Sequence, residues 1–144
     1  MRLRRGQWAP LIPERWRTAV LSVIPLTPVV IGSDYLLGED GSSLSEVERA
    51  APMWAWGIAL VVSGLTIAAG YAGRWRHVAI VGLHLTGALM VTLGIGIGTE
   101  TVDVLGGFRW PWMYCAIGLA AWGAAIGYAL QIETPTEEAP SGPE

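Results

Sequence analysis

Charged positions divide this sequence into four uncharged runs. Sixteen residues separate Arg17 from Asp34, 24 separate Arg49 from Arg74, 22 separate His77 from Glu100, and 23 run from Trp110 to Ile132. A bilayer core of about 30 Å needs roughly 20 apolar residues at about 1.5 Å rise each. The last three runs reach that length unaided. The first reaches it by continuing past Asp34 through Tyr35, Leu36 and Leu37. Asp34 then sits at a water–lipid interface, where a carboxylate near a helix end meets the headgroups. The other reading of this run is a re-entrant or interfacial piece. A cleaved signal is disfavoured, because Pro10 and Pro13 precede the run, Pro25 and Pro28 interrupt it, and no A-x-A-like site follows Ile31.

The pattern predicts an all-α integral membrane protein with four transmembrane helices at about 18–37, 51–73, 77–99 and 110–132, packed as an antiparallel bundle. Residues 1–17 form a basic cytoplasmic segment, and 133–144, rich in Pro, Glu, Thr and Ser, a disordered acidic tail. In the first outer loop Ser43 and Glu46 match a capping box and predict a short surface helix. Pro52 either ends that helix or opens the next membrane helix in its first turn. Pro25 and Pro28 free the carbonyls of Leu21 and Ile24 and predict a kink in helix one. Ser22 and Gly32 share the prolines' side of that helix.

Arginine placement gives orientation. Arg2, Arg4, Arg5, Arg15 and Arg17 precede helix one, and Arg74 and Arg76 join helices two and three; the other two loops hold only Arg49 and Arg109. Under the positive-inside rule both termini are cytoplasmic. Arg15, Trp16, Arg17, Arg74, Trp75 and Arg76 are expected to anchor at lipid headgroups on that side. Tyr35, Trp54, Trp56, Trp110, Trp112 and Tyr114 fall at the opposite rim, as interfacial aromatics do.

Composition removes other classes. The chain has 144 residues, 52% hydrophobic and 15% charged, with net charge −3. That is too apolar for a disordered chain, and one cysteine, Cys115, makes neither a disulfide framework nor a multi-cysteine metal site. No nucleotide-binding or nucleophile motif is present, so no enzyme, cofactor or metal is expected. The basic N-terminus is read as a binder of anionic lipid and not of nucleic acid.

Short triplets recur. Arg15-Trp16-Arg17 corresponds to Arg74-Trp75-Arg76, Trp54-Ala55-Trp56 to Trp110-Pro111-Trp112, and Gly70-Tyr71-Ala72 to Gly127-Tyr128-Ala129. The offsets of 59, 56 and 57 suit a duplicated helical hairpin. Equivalent depths demanding similar residues would also produce them. Small residues recur at helical spacing: Gly57, Gly64, Ala68 and Ala72; Gly87, Gly94 and Gly98; Ala116, Ala120, Gly123 and Gly127. Such stripes let helices approach closely in lipid, either within one bundle or between copies.

His84 is the one strongly polar ionisable residue deep in a span. It lies on the side of Gly87, Gly94 and Gly98, which predicts that it points into the bundle. It suits a proton relay. As an axial haem ligand it lacks a second deep histidine, His77 being at the rim. The plainer reading is a neutral histidine hydrogen-bonded to Ser63 or Thr66.

The stretch 74–84, Arg-Trp-Arg-His-Val-Ala-Ile-Val-Gly-Leu-His, and Ala51-Pro52-Met53-Trp54-Ala55-Trp56-Gly57 resemble small four-helix membrane proteins of actinobacterial phages. The absence of Lys and Asn, whose codons are A-rich, fits a GC-rich source. In such phages proteins of this kind are often holins. Resemblance to holins implies a chain that oligomerises in the host cytoplasmic membrane and permeabilises it for an endolysin. The acidic tail and the count of four helices depart from the usual holin pattern. The alternative is a non-lytic membrane partner, such as a superinfection-exclusion factor or a small accessory subunit. Either way the expected partners are the bilayer and a second copy or another membrane protein.

Overall fold

The computed structural model describes residues 14–38, 51–101 and 107–130. These residues form four α-helices and no strand: α1 Glu14–Leu37, α2 Met53–Gly73, α3 Arg76–Thr101 and α4 Arg109–Leu130. Helices α2, α3 and α4 are each long and apolar enough to cross a membrane, whereas α1 has a shorter apolar portion, Leu21–Leu37. The expected surface helix at Ser43, the N-terminal segment 1–13 and the acidic tail lie outside the described residues.

The helices pack in chain order. α1 lies along α2, α2 along α3 and α3 along α4, and no other pair packs along its length. Consecutive helices run antiparallel: the middle of α1 meets the middle of α2 at Pro25 and Gly64, and late α1 meets early α2 at Gly32 and Gly57. The result is an open series of three interfaces. The expected bundle is thus only partly closed, because α1 and α4 do not pack along their length.

Both prolines of α1 are buried against α2, and the helix continues through them from Glu14 to Leu37. A proline ring has no N–H to satisfy, and here it fills space: Pro28 Cγ and the Pro25 carbonyl oxygen crowd the Gly64 backbone. Pro52 caps α2, its carbonyl accepting the Ala55 N–H at 2.8 Å, so it opens the membrane helix.

The turn between α2 and α3 is a Schellman motif. Trp75 N–H donates to Gly70 O at 2.8 Å, Arg74 N–H donates to Tyr71 O at 3.3 Å, and Arg74 is left-handed at φ 54°. Glycine normally takes that position, and Gly73 stands one residue earlier for a different reason: the Trp75 indole lies on it, with Cδ2 2.7 Å from where a Cβ would be. Past the turn α2 and α3 come together backbone to backbone. A Cβ on Gly70 would lie 2.7 Å from Ala79 Cα, and one on Gly82 2.7 Å from the Ile67 nitrogen.

The core has two apolar clusters. Ile67, Leu83, Ala125 and Tyr128 lie toward the α2–α3 turn, with Tyr71 edge-to-face on Tyr128 at 6.3 Å. Leu60, Met90 and Leu93 lie toward the other end. Between them two buried hydroxyls form a chain: Thr86 Oγ1 donates to Ser63 Oγ at 3.0 Å, and Ser63 Oγ donates to Leu60 O at 2.8 Å. The bond satisfies both groups where water is absent and ties α2 to α3.

Candidate functional site

Among the described residues the helix faces are the surfaces whose geometry is defined. Glycines report how closely those faces are engaged, since a Cβ placed on each either collides or does not. On α2 the expected Gly57 and Gly64 are packed to the limit, for a Cβ there would lie 2.7 Å from Leu36 Cγ and 2.6 Å from Pro25 O respectively, while Ala68 is half-buried and Ala72 is exposed. On α3, a Cβ on Gly87 would lie 2.8 Å from Trp122 Cγ, and one on Gly94 2.6 Å from Cys115 Sγ. Gly98 is in ordinary contact with Pro111 at 3.4 Å.

The stripe expected on α4 behaves differently. Gly123 and Gly127 have nothing within 4 Å, Ala116 is half-buried and Ala120 is exposed. The residues of α4 that meet α3 are Pro111, Cys115, Gly118 and Trp122; a Cβ on Gly118 would lie 2.9 Å from Gly87 O. Successive residues turn by about 100°, so Gly123 lies roughly 140° round the helix from Gly118. The stripe faces out of the bundle. The heptad spacing of Pro111, Gly118 and Ala125, all buried, was the available signal for the true contact face.

His84 also faces outward, correcting the expected inward orientation. The side chain is exposed, and its Nδ1 lies 3.0 Å from the Ile80 carbonyl of its own helix. A carbonyl only accepts, so Nδ1 donates its hydrogen to it. The expected partners are engaged elsewhere, Ser63 with Thr86 and Leu60, and Thr66 with Val62 O at 2.7 Å. The His84 carbonyl accepts the Trp122 Nε1–H at 3.2 Å. Among the described residues no three His, Cys, Asp or Glu side chains gather as a metal site.

The rims are partly as expected. Trp54, Trp110 and Trp112 are well exposed at the end opposite the α2–α3 turn. At the turn Arg74 is exposed and Arg76 half-buried, but Trp75 is drawn inward, with its Nε1 enclosed and without a partner. Arg15, Trp16 and Arg17 open α1; their side chains lie outside the described part. Cys115 is half-buried against Gly94, consistent with a small packing residue.

Among the described residues the helices also leave a concavity. Between α1 and α4, with α3 as its floor, runs a crevice of about 190 Å³ lined by apolar side chains and two threonines. No protein-family model, curated protein or solved structure matches the chain.

Proposed function

We propose that this chain is an integral membrane protein with both termini cytoplasmic that acts by self-association, as a holin-like protein of phage type permeabilising the host cytoplasmic membrane for an endolysin. The observation that carries the association is the outer face of α4. Gly57, Gly64, Gly87, Gly94 and Gly118 are each filled by a neighbouring helix, whereas Gly123 and Gly127 form a G-x-x-x-G pair with open space around it. Apolar helices in lipid gain little from the hydrophobic effect on meeting and depend on close backbone approach, which such a pair permits. Two copies inserted in one orientation present this pair at one depth. Lysis itself rests on the resemblance to holins.

Regulated expression in a bacterial host tests the reading. Growth arrest with loss of membrane potential, and lysis on co-expression of an endolysin, is the expected result, and Gly123→Leu with Gly127→Leu should abolish both. Normal growth at high expression overturns it. A periplasm-active reporter should be silent when fused after Glu144 and active when inserted at Gly41.

A second reading is favoured by His84. An exposed imidazole within the helix, held through Nδ1 to its own backbone, suits a hydrogen bond with another membrane protein's helix. In that case the chain is a non-lytic partner such as an exclusion factor or accessory subunit. Protection of expressing cells against phage challenge, lost in His84→Leu, distinguishes it.

A further inference from the structure

Positive charge at the α2–α3 turn has no counterpart among the described residues. Arg74 is exposed, Arg76 half-buried and His77 exposed, within four consecutive positions. The carboxylates whose side chains are described, Asp34 and Glu100, lie at the far end of the bundle, late in α1 and late in α3. The first turn of α3 begins at Arg76 and adds outward N–H groups and the positive end of a helix dipole.

Opposite charge lies further along the sequence. Residues 131–144, outside the described part, hold Glu133, Glu137, Glu138 and Glu144 and no basic residue. They leave α4 at the end where the turn is. Trp122 Nε1–H donates to the His84 carbonyl, and α3 and α4 run antiparallel, so seven residues back along α3 and seven on along α4 bring His77 and Ala129 to one level. Tyr128 likewise packs on Tyr71, three residues before Arg74. An extended chain spans at most about 3.6 Å per residue, which puts Glu133 within about 11 Å of Leu130 and Glu137 within about 25 Å. The turn joins α2 to α3, the direct neighbour of α4, and neighbouring helix axes lie about 8–10 Å apart. A short tether of this kind holds its carboxylates at an effective concentration of about millimolar order. One exposed ion pair is weak, but the adjacent Glu137 and Glu138 can meet both arginines together.

We infer that the acidic segment 131–144 docks back on the α2–α3 turn, Glu137 and Glu138 pairing with Arg74 and Arg76. It is an internal ligand of the turn. The same arginines were expected at lipid headgroups, and an anionic headgroup must displace the segment to reach them. The docking depends neither on lysis nor on oligomer state.

The test is pairing of introduced cysteines. The full chain, with Cys115→Ala, carries Ala72→Cys at an exposed position late in α2 and Thr136→Cys, which leave every charge in place. It is reconstituted in nanodiscs of phosphatidylethanolamine and phosphatidylglycerol. Under mild oxidation the intramolecular disulfide should form at least about threefold faster than in the same pair with Arg74→Gln and Arg76→Gln. The excess should vanish at about 1 M salt, where the screening length falls to about 3 Å. Reversing one side with Glu137→Arg and Glu138→Arg should abolish the excess. Adding Arg74→Glu and Arg76→Glu should restore it, which a misfolded variant would not do. Equal rates with and without the arginines overturn the inference, since tethering alone then brings the cysteines together. A fast rate in phosphatidylcholine nanodiscs that is lost with phosphatidylglycerol shows headgroups on the turn and overturns it. Faster pairing of Thr136→Cys with Gln7→Cys than with Ala72→Cys puts the segment on the N-terminal arginines and also overturns it.

Discussion

The α1–α2 and α3–α4 hairpins carry similar rim triplets, yet they are held together in different ways. In the first, backbone meets backbone: a Cβ on Gly32 would lie 2.7 Å from Gly57 O, and one on Gly57 2.8 Å from Gly32 O. In the second, backbone also comes close, a Cβ on Gly118 lying 2.9 Å from Gly87 O, but side chains fill further glycine notches, Trp122 over Gly87 and Cys115 Sγ over Gly94. Rim residues answer to depth in the bilayer, which is common to both hairpins. Contact faces answer to the partner helix, which is not. Similar triplets at the rims therefore say little about how the helices between them pack.

The difference predicts which substitutions are repairable. Gly64→Leu should cost about 3 kcal/mol in detergent unfolding, since the obstacle is the Pro25 carbonyl and overpacking forces α1 away. No side-chain truncation on α1 should restore it. On the other hairpin Trp122→Ala should cost about 2 kcal/mol, less than a fully buried tryptophan because the residue is half-exposed. Gly87→Ala should then cost about 1–2 kcal/mol in the native background and almost nothing beside Trp122→Ala. An equal cost in both backgrounds would sink the distinction between the hairpins.

A smaller effect measures the joint between them. Ser63→Ala removes the acceptor of the Thr86 hydroxyl and should cost about 1 kcal/mol in the same unfolding assay, near the upper range for polar contacts between membrane helices. The smallest effect belongs to the outer face of α4. Gly123→Ala and Gly127→Ala meet nothing in the chain, so unfolding of the isolated protein should change by less than about 0.5 kcal/mol each. Crosslinking between copies in membranes should fall in the same variants. Loss of stability without loss of crosslinking would place that face inside the fold.

Helix boundaries were legible because charge ends an apolar run: α2 was expected at 51–73 and lies at Met53–Gly73, and α4 at 110–132 against Arg109–Leu130. The start of α1 was not, because the helix extends through the polar Glu14-Arg15-Trp16-Arg17 before the apolar portion begins. Charge marks where lipid stops, not where helical hydrogen bonding stops. The faces were harder. His84 lies only about 60° round the helix from Gly87, a small angle on a helical wheel. Yet the arc covered by α4 stops short of it, and only the position of α4 defines that limit. Likewise, two stripes of small or imino residues run along α4, and periodicity alone could not tell which one met α3.

The two-residue link of Arg74 and Trp75 has a consequence for biogenesis. Gly73 and Arg76 are three peptide units apart and can never separate by more than about 11 Å. No polar loop exists there to cross a bilayer or to wait on one side while the next segment is made. In a membrane, α2 and α3 would enter as a single folded pair, and a choice of direction for either helix would fix the other.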